Sequence, residues 1–570
     1  MRPPARWSTL AAAVAAALCL ACGCDYGAGE GEATSPGLSV TVGALKSSCG
    51  ASDANPLQVV NSIRVCGQAP IRLADGGSAV RKLFDQTVGV GADVSIGNVR
   101  VNDLYEVTAV GLVGGQPKYF GRAKNVSVRV DAATDISLTL APFNDVACID
   151  TKPAGNPNHR LWPASVRLAD GRVFVTGGFG GITTAGGKAE LTNASDKTFF
   201  FDPRDGSVAL GPTLKQGRGG HAAIFVPTEK KVVLIGGASR MPFSDTPDRI
   251  GLQFDPQTAL NTVEVIDVST KAGAVVASGI TMKFKRVFPQ VALIGSGEVI
   301  ITGGGAWPEA NADYKTSEIF DARTDELTSA ITVIDFAPRS GHTLTFVKNE
   351  TVESSTVEIF LAWGGTTADS KAAFLVNTRG QQQAQPTFAT AKFTADSAPL
   401  DRTWFHSVTP LSNDRFLVLG GVSNTGSKLD RLEADFAWLA TYARTDNERT
   451  IKVEKLSGFP NGRWGHSATS HDGAAATIIG GFTSLTGDGS SSVVYFDGVK
   501  KAFSTSPQPP SFAPRGGHAA TPLLDDSIFL AGGVQTPADI GKPEVMLTDV
   551  YVPNNVSFCT APVPAEGEEL

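Results

Sequence analysis

The chain has 570 residues, 42% hydrophobic and 18% charged, with a formal net charge of −7. That length exceeds one ordinary domain, and 62 glycines with 33 prolines supply punctuation for many turns rather than long helices. No long block of lysine or arginine appears, which argues against a nucleic-acid-binding stripe.

Residues 1–23 read as a secretion signal. Arg2 and Arg6 form its positive region, and Leu10 to Ala21 form an apolar core too short to span a bilayer. Ala21 and Gly23 stand three and one residues before Cys24, a pattern that resembles a bacterial lipobox. The resemblance implies acylation of Cys24, with 24–36 as a flexible tether. The expected location is therefore the cell envelope, with membrane contact through the lipid alone and no nucleic-acid partner. Cys19 and Cys22 leave with the signal. Cys49, Cys66, Cys148 and Cys559 remain, an even number that suggests two disulfides in an oxidising compartment. Three pairings are open. The expectation is a local Cys49–Cys66 bridge and a Cys148–Cys559 bridge between the ends of the repeat region.

Residues 37–145 alternate apolar and polar at Leu38–Val42, Tyr105–Leu112, Val126–Val130 and Ile136–Leu140. Turn residues separate these stretches, which predicts a small immunoglobulin-like or transthyretin-like sandwich.

From residue 146 to 560 the chain repeats itself. Seven short apolar runs end in glycine pairs, at Gly177-Gly178, Gly236-Gly237, Gly303-Gly304, Gly364-Gly365, Gly420-Gly421, Gly480-Gly481 and Gly532-Gly533. Their first glycines are 59, 67, 61, 56, 60 and 52 residues apart. Runs such as VFVT and VVLI are short and β-branched, as suits strands buried on both faces. Before each pair stands an arginine followed by histidine or proline three residues later: Arg160/Pro163, Arg218/His221, Arg286/Pro289, Arg339/His342, Arg463/His466 and Arg515/His518. The fifth repeat reads Arg402-Thr-Trp-Phe-His406, with one extra residue. A third landmark, an apolar strand ending in Asp or Asn, follows most pairs, at Asp202, Asp267, Asp321, Asn377 and Asp497. A repeat of this period predicts stacked sheets that bury each other's faces.

These landmarks in this order resemble the kelch repeat family over roughly residues 158–558. The resemblance implies an all-β fold: a seven-bladed β-propeller of the kelch type, preceded by the sandwich and followed by an acidic tail at 561–570. The family's fourth-strand tryptophan is missing, and the repeats exceed the ~50 residues usual for kelch, so inter-strand loops must be extended. The resemblance also places the arginines near one mouth of a central channel. Arg160, Arg218, Arg286, Arg339, Arg402, Arg463 and Arg515, with Trp162, Trp404 and Trp464 beside three of them, are the candidate ligand-binding set. Arginine beside an aromatic face can hold carboxylates, sugars or peptide side chains.

Catalytic motifs are absent: no GxSxG elbow, HExxH, P-loop or complete GxGxxG occurs. The landmark histidines His221, His342, His406, His466 and His518 fall one per repeat, so hydrogen bonding to neighbours is expected rather than a metal. His159 and His471 read as solvated loop residues, and Asp488 alone is far short of a calcium shell. No cofactor is expected. The main functional expectation is a non-enzymatic binding scaffold for a protein or glycan at the envelope. The alternatives are a carbohydrate-active enzyme (a sugar isomerase or oxidase-like kelch propeller) and a purely structural envelope protein.

Overall fold

The computed structural model describes residues 37–559 with interruptions, the longer ones at 46–54, 73–77, 98–103, 152–159, 305–315, 333–338, 366–371, 379–386, 394–402, 425–428, 507–511 and 541–547. Cys24, Cys49, His159, Arg402, the signal, the tether and the acidic tail lie outside the described residues.

The described chain is all-β, with two short 3-10 turns as its helical elements. Residues 37–142 form one seven-stranded sheet in the order Ser78–Gly89, Ser62–Arg72, Leu104–Val113, Gln116–Ser127, Thr134–Pro142, Leu38–Ala44, Val94–Ile96. Val65, Tyr105 and Val107 from one half share a core with Leu38, Val40 and Leu138 from the other. The sheet therefore folds back on itself to bury one face of each half.

Seven smaller sheets follow. Sheet I contains Ala164–Arg167, Val173–Thr176, Thr198–Asp202 and Ser207–Leu210. Sheet II contains Ala222–Val226, Lys231–Ile235, Thr262–Asp267 and Ala274–Thr281; sheet III contains Gln290–Ile294, Glu298–Thr302, Thr316–Asp321 and Glu326–Thr332. Sheet IV contains Thr343–Val352, Ser355–Trp363, Ala373–Thr378 and Thr387–Thr390. Sheet V contains Ser407–Leu411, Arg415–Leu419, Ala437–Thr445 and Glu448–Lys455, with Lys392–Phe393 added in parallel at its edge. Sheet VI contains Ser467–His471, Ala475–Ile479, Val493–Asp497 and Ala502–Thr505. Sheet VII contains Ala519–Pro522, Ile528–Ala531 and Thr548–Tyr551, and its fourth strand is Val146–Cys148 from the far side of the sequence. The first strands touch in cyclic order, I to II through to VII and back to I.

Each sheet is joined to the next at its glycine pair. The second glycine's N–H donates to the carbonyl of the next sheet's landmark residue: Gly178 to Arg218 (2.9 Å), Gly237 to Arg286 (2.7 Å), Gly304 to Arg339 (2.8 Å), Gly365 to Thr403 (3.1 Å), Gly421 to Arg463 (2.7 Å) and Gly481 to Arg515 (2.8 Å). Gly533 donates to Arg160 (2.8 Å) and closes the circuit. Only glycine suits this position. Gly237 has φ +94°, and a Cβ there would lie 2.8 Å from His221 Cβ and 2.9 Å from the Gly219 carbonyl. The third landmark also has a local cause. Asp202, Asp267, Asp321 and Asp497 accept backbone N–H bonds from residues two further on and so fix the turn into the fourth strand.

The circuit resolves the fifth repeat. Thr403 holds the position taken by arginine elsewhere, so the spacing to His406 is the ordinary three residues and nothing is inserted. The extended loops are resolved too. Segments after the glycine pairs of sheets I, II and V combine into a separate six-stranded sheet, in the order Phe179–Ala185, Lys188–Ala194, Met241–Thr246, Arg249–Ile250, Leu429–Leu432, Val422–Asn424.

The N-terminal sheet is clasped to sheets I and VII. Leu45 and Phe120 share a core with Val173, Phe529 and Val550. Asp526 accepts from Arg122 and Lys124, each at 2.6 Å. A disulfide joins Cys66 to Cys559, with Cα atoms 5.9 Å apart. The expected Cys49–Cys66 and Cys148–Cys559 pairings are corrected accordingly. The physical reason lies in the fold: the strand Ser62–Arg72 brings Cys66 to the segment that follows sheet VII. Cys148 is itself disulfide-bonded. Non-reducing peptide mapping should recover a Cys66–Cys559 peptide pair. Recovery of Cys148 bound to Cys559 would contradict this arrangement.

Candidate functional site

The space around the arginine landmarks is filled by the protein's own side chains. Two residues after each landmark position the backbone turns left-handed in all seven repeats: Trp162, Gly220, Phe288, Gly341, Phe405, Gly465 and Gly517 have φ between 52° and 67°. Bulky aromatic residues rarely adopt this conformation. Here three of them, from sheets I, III and V, meet one another. Trp162 stacks on Phe405 at 5.4 Å, and Phe288 stands edge-on to both at 5.0 Å. Trp464 and Phe243 close around them. The glycines make the room: a Cβ on Gly220 would lie 2.9 Å from the Phe288 ring, and one on Gly341 would lie 3.0 Å from Trp404. A partial second circuit of hydrogen bonds links these residues, including Trp162 to Gly517 (2.8 Å) and Phe288 to Gly220 (2.7 Å). The six-stranded sheet packs on the same cluster through Phe179, Leu191, Met241 and Val422.

The candidate tryptophans belong to this plug, and Trp162, Trp404 and Trp464 are all buried. The structure does bring them together, but as packing. The arginines are buried as well. Arg160, Arg218, Arg286, Arg339 and Arg463 each donate through Nη1 to the carbonyl of the first glycine of their own sheet, at 2.6 to 3.3 Å. Arg286 also binds Glu318 twice, at 2.9 and 2.7 Å. Arg218 pairs with Glu264, and Arg515 with Asp549. The positions equivalent to Glu264 are Phe199 in sheet I and Val494 in sheet VI. Burial accordingly pushes Arg160 and Arg463 down to about 10. Guanidiniums held this way turn inward and are not offered to an external ligand, which corrects the ligand-binding expectation for the described members of the set.

The histidines act between sheets. His406 Nε2 meets Thr343 Oγ1 at 3.3 Å, His466 Nε2 meets Ser407 Oγ at 2.9 Å, and His518 Nε2 meets Ser467 Oγ at 2.9 Å. In each case the hydroxyl is the first residue of the preceding sheet. His342 uses Thr302 Oγ1 at 3.0 Å instead, because Gln290 fills that place. Where the next sheet carries proline rather than histidine, the first residue is alanine: Ala222 precedes Pro289, and Ala519 precedes Pro163. His221 is the exception. Ala164 stands where its hydroxyl would be, and neither His221 ring nitrogen has a hydrogen-bond partner among the described residues. Burial holds all five histidines neutral, with His221 and His518 pushed down to about 3 and His406 to about 4. His342 and His466 are also well below the ordinary histidine value, for the same cause. His471 is not solvated: it is buried and lies 2.8 Å from Thr477 Oγ1. Among the described residues no three His, Cys, Asp or Glu side chains gather as a metal-ligating group.

A cleft of about 420 Å³ lies between sheets III and IV. It is lined by Val291, Ala292, Leu293, Leu344, Phe346, Asn349, Glu358 and Phe360, toward the ends of the first strands remote from the plug. Sequence reasoning missed it, because a gap between two sheets leaves no motif.

No known family profile and no curated protein matches this chain. Among solved structures it is similar to a fungal alcohol oxidase of the AA5 family in complex with copper, at 14% identity and TM-score 0.49, over 72% of this chain and 77% of that one. The expectation that the chain is not an enzyme is corrected on this finding, since a missing catalytic motif is no ground for excluding a reaction. At this level the likeness assigns neither reaction nor metal here.

Two predictions follow from the histidines. Each is neutral when folded but takes up a proton below about pH 6.5 when unfolded, so stability is lost as pH falls from there towards 3–4. The loss is about 1.4 kcal/mol per pH unit for each histidine. Urea denaturation should therefore show a drop of several kcal/mol between pH 7.5 and 5.5, roughly one-fifth of which disappears in His466→Gln. A flat profile would contradict the buried neutral assignment. Secondly, Ala164→Ser should give His221 its missing partner and raise stability by about 1 kcal/mol. Ala222→Ser, which faces Pro289, should bring no gain in the same urea titration.

Proposed function

We propose that this chain is a seven-bladed kelch-type β-propeller behind a small β-sandwich, held to the cell envelope by a lipid on Cys24. It presents the mouth remote from the aromatic plug to a glycan or protein of the envelope. The closed circuit of seven glycine-to-landmark hydrogen bonds supports the propeller reading, and the secretion signal and lipobox-like cysteine support the anchor. One observation carries the ligand-binding reading. The space around the landmark arginines is filled from within, whereas the cleft between sheets III and IV is lined toward the ends of the first strands remote from that filling.

A copper oxidase reading does not fit the residues present. The landmark histidines are each buried against the glycine pair of the preceding sheet, as where the His221 ring abuts Gly177. A copper oxidase of the galactose-oxidase kind would need a tyrosine crosslinked to a cysteine, and no cysteine lies between Cys148 and Cys559.

The test is capture from envelope extract and from a glycan array by the full-length protein, purified in detergent. The expected result is saturable capture of a glycan or protein, retained in Cys24→Ala, which should itself leave the membrane fraction. Absence of any saturable ligand would overturn the binding reading, and a membrane-bound, lipid-labelled Cys24→Ala protein would overturn the anchor. Chemical change in a captured glycan would add a reaction to the binding.

A further inference from the structure

Sheet VI buries a guanidinium among neutral acceptors. Arg463 is 1% exposed and donates to Gly480 O at 3.0 Å, Ser492 Oγ at 2.8 Å, Pro460 O at 2.9 Å and Asn461 O at 3.3 Å. Sheets II, III and VII give the equivalent arginine an acid. Sheet VII makes the same backbone contact as well, with Arg515 Nε donating to Ala513 O at 3.3 Å. In sheet VI the residue that supplies this carbonyl is an asparagine, and a glycine follows it.

Asn461-Gly462 is the one Asn-Gly pair in the sequence. Asn461 is exposed and left-handed, with φ 56°, a conformation that asparagine tolerates better than most residues with a Cβ. Among the described residues its side-chain amide makes no hydrogen bond, and neither does the Gly462 N–H. An N–H that no acceptor holds is available to lose its proton, and a glycine puts no Cβ in the way of its own nitrogen.

We propose that Asn461-Gly462 is a site of spontaneous deamidation, and that the folded ring steers the product towards isoaspartate. The Gly462 nitrogen attacks Asn461 Cγ. The N–Cγ bond forms, the Cγ–Nδ2 bond breaks, and Nδ2 leaves as ammonia with the proton that Gly462 gives up. Water then opens the five-membered imide, its hydroxyl going to one carbonyl carbon and its proton returning to the Gly462 nitrogen. Opening at Cγ gives aspartate. Opening at the α-carbonyl gives isoaspartate, in which the chain runs through Cγ and the former backbone carbonyl becomes a free carboxylate. That carbonyl is the group Arg463 Nε already donates to. Sheet VI thereby gains the acid that its sequence lacks, and an ionised acceptor holds a buried guanidinium more strongly than a neutral one. The extra chain atom falls in an exposed bend, outside the strands.

The experiment keeps the full-length protein at pH 8 and 37 °C, folded in detergent or unfolded in guanidinium chloride. Peptides are then sequenced by electron-transfer fragmentation, which separates isoaspartate from aspartate. In the folded protein Asn461 should convert before any other described asparagine. The ratio of isoaspartate to aspartate there should exceed that in the unfolded chain by about twofold or more. Asn461→Gln should remove the isoaspartate signal from this peptide. Arg463→Lys, which has no Nε donor, should still deamidate but with the ratio of the unfolded chain. The wild-type comparison needs no variant and stands whether or not Arg463→Lys folds. Asn461 left intact in the folded protein after the unfolded chain has converted would overturn the site. Equal ratios in the two states would overturn the steering by Arg463.

Discussion

Everything in residues 146–559 depends on one short hydrogen bond made seven times. The N–H of a left-handed glycine in one sheet meets the carbonyl of the landmark residue in the next. The bond needs both glycines. Both have positive φ; a Cβ on the first would overlap the landmark carbonyl of the neighbouring sheet, and one on the second would overlap the landmark segment of its own sheet. Because the seventh bond returns to Arg160, no sheet is left with a free first strand. Closure removes a sheet edge more completely than charge or proline can. It also places the heaviest demand on the junction between sheets VII and I, where no peptide bond runs. There the chain adds Val146–Cys148 as the outer strand of sheet VII, the Arg122–Asp526–Lys124 contacts and the Cys66–Cys559 bridge.

The same bond explains why the arginines turn inward. The carbonyl of each landmark residue is engaged by the neighbouring sheet. Its guanidinium folds back onto the first glycine's carbonyl of its own sheet, an acceptor that would otherwise be buried without a partner. The charge this buries is offset unevenly. Sheets II, III and VII supply Glu264, Glu318 and Asp549, whereas sheets I and VI surround the guanidinium with carbonyls and Ser492 Oγ. Removing one partner of a buried pair leaves a desolvated charge, which costs about 3–5 kcal/mol. Recurrence in six of the seven repeats is therefore satisfied by architecture, and a ligand is not needed to account for it.

Much of this was legible in the sequence, and the limits have physical causes. Glycine pairs, landmark arginines and terminal aspartates each perform the same local task in successive sheets, so their period reveals the sheets. The hydroxyl-histidine pairing was equally present in the letters, with Thr343, Ser407 and Ser467 each serving a histidine about 60 residues on; it becomes visible only when sheets are known to be neighbours. Long-range pairings were not legible. Nothing near Cys66 states that its strand will lie beside residue 559. The six-stranded sheet is assembled from three separate loops with no shared period. Thr403 was obscured because Arg402 next to it imitates the landmark, and only the bond from Gly365 shows which residue holds the position. His471 reads as a loop residue, yet it ends a strand and is buried beside Thr477.

The aromatic plug and the cleft are two consequences of breaking the repeat. Three repeats place Trp162, Phe288 and Phe405 where four place glycine, and the strained left-handed backbone persists because the rings pack on one another over the axis. That substitution costs backbone energy and fills the space between the landmark segments. At the other end, one lengthened strand and one bulge in sheet IV open a gap that strict repetition would have packed shut. A strictly periodic ring would be equally blank at both mouths. Features that a repeat does not require are where a chain of this kind can carry a specific role, and in this molecule the departures fill the space between the landmark segments and open a cleft between sheets III and IV.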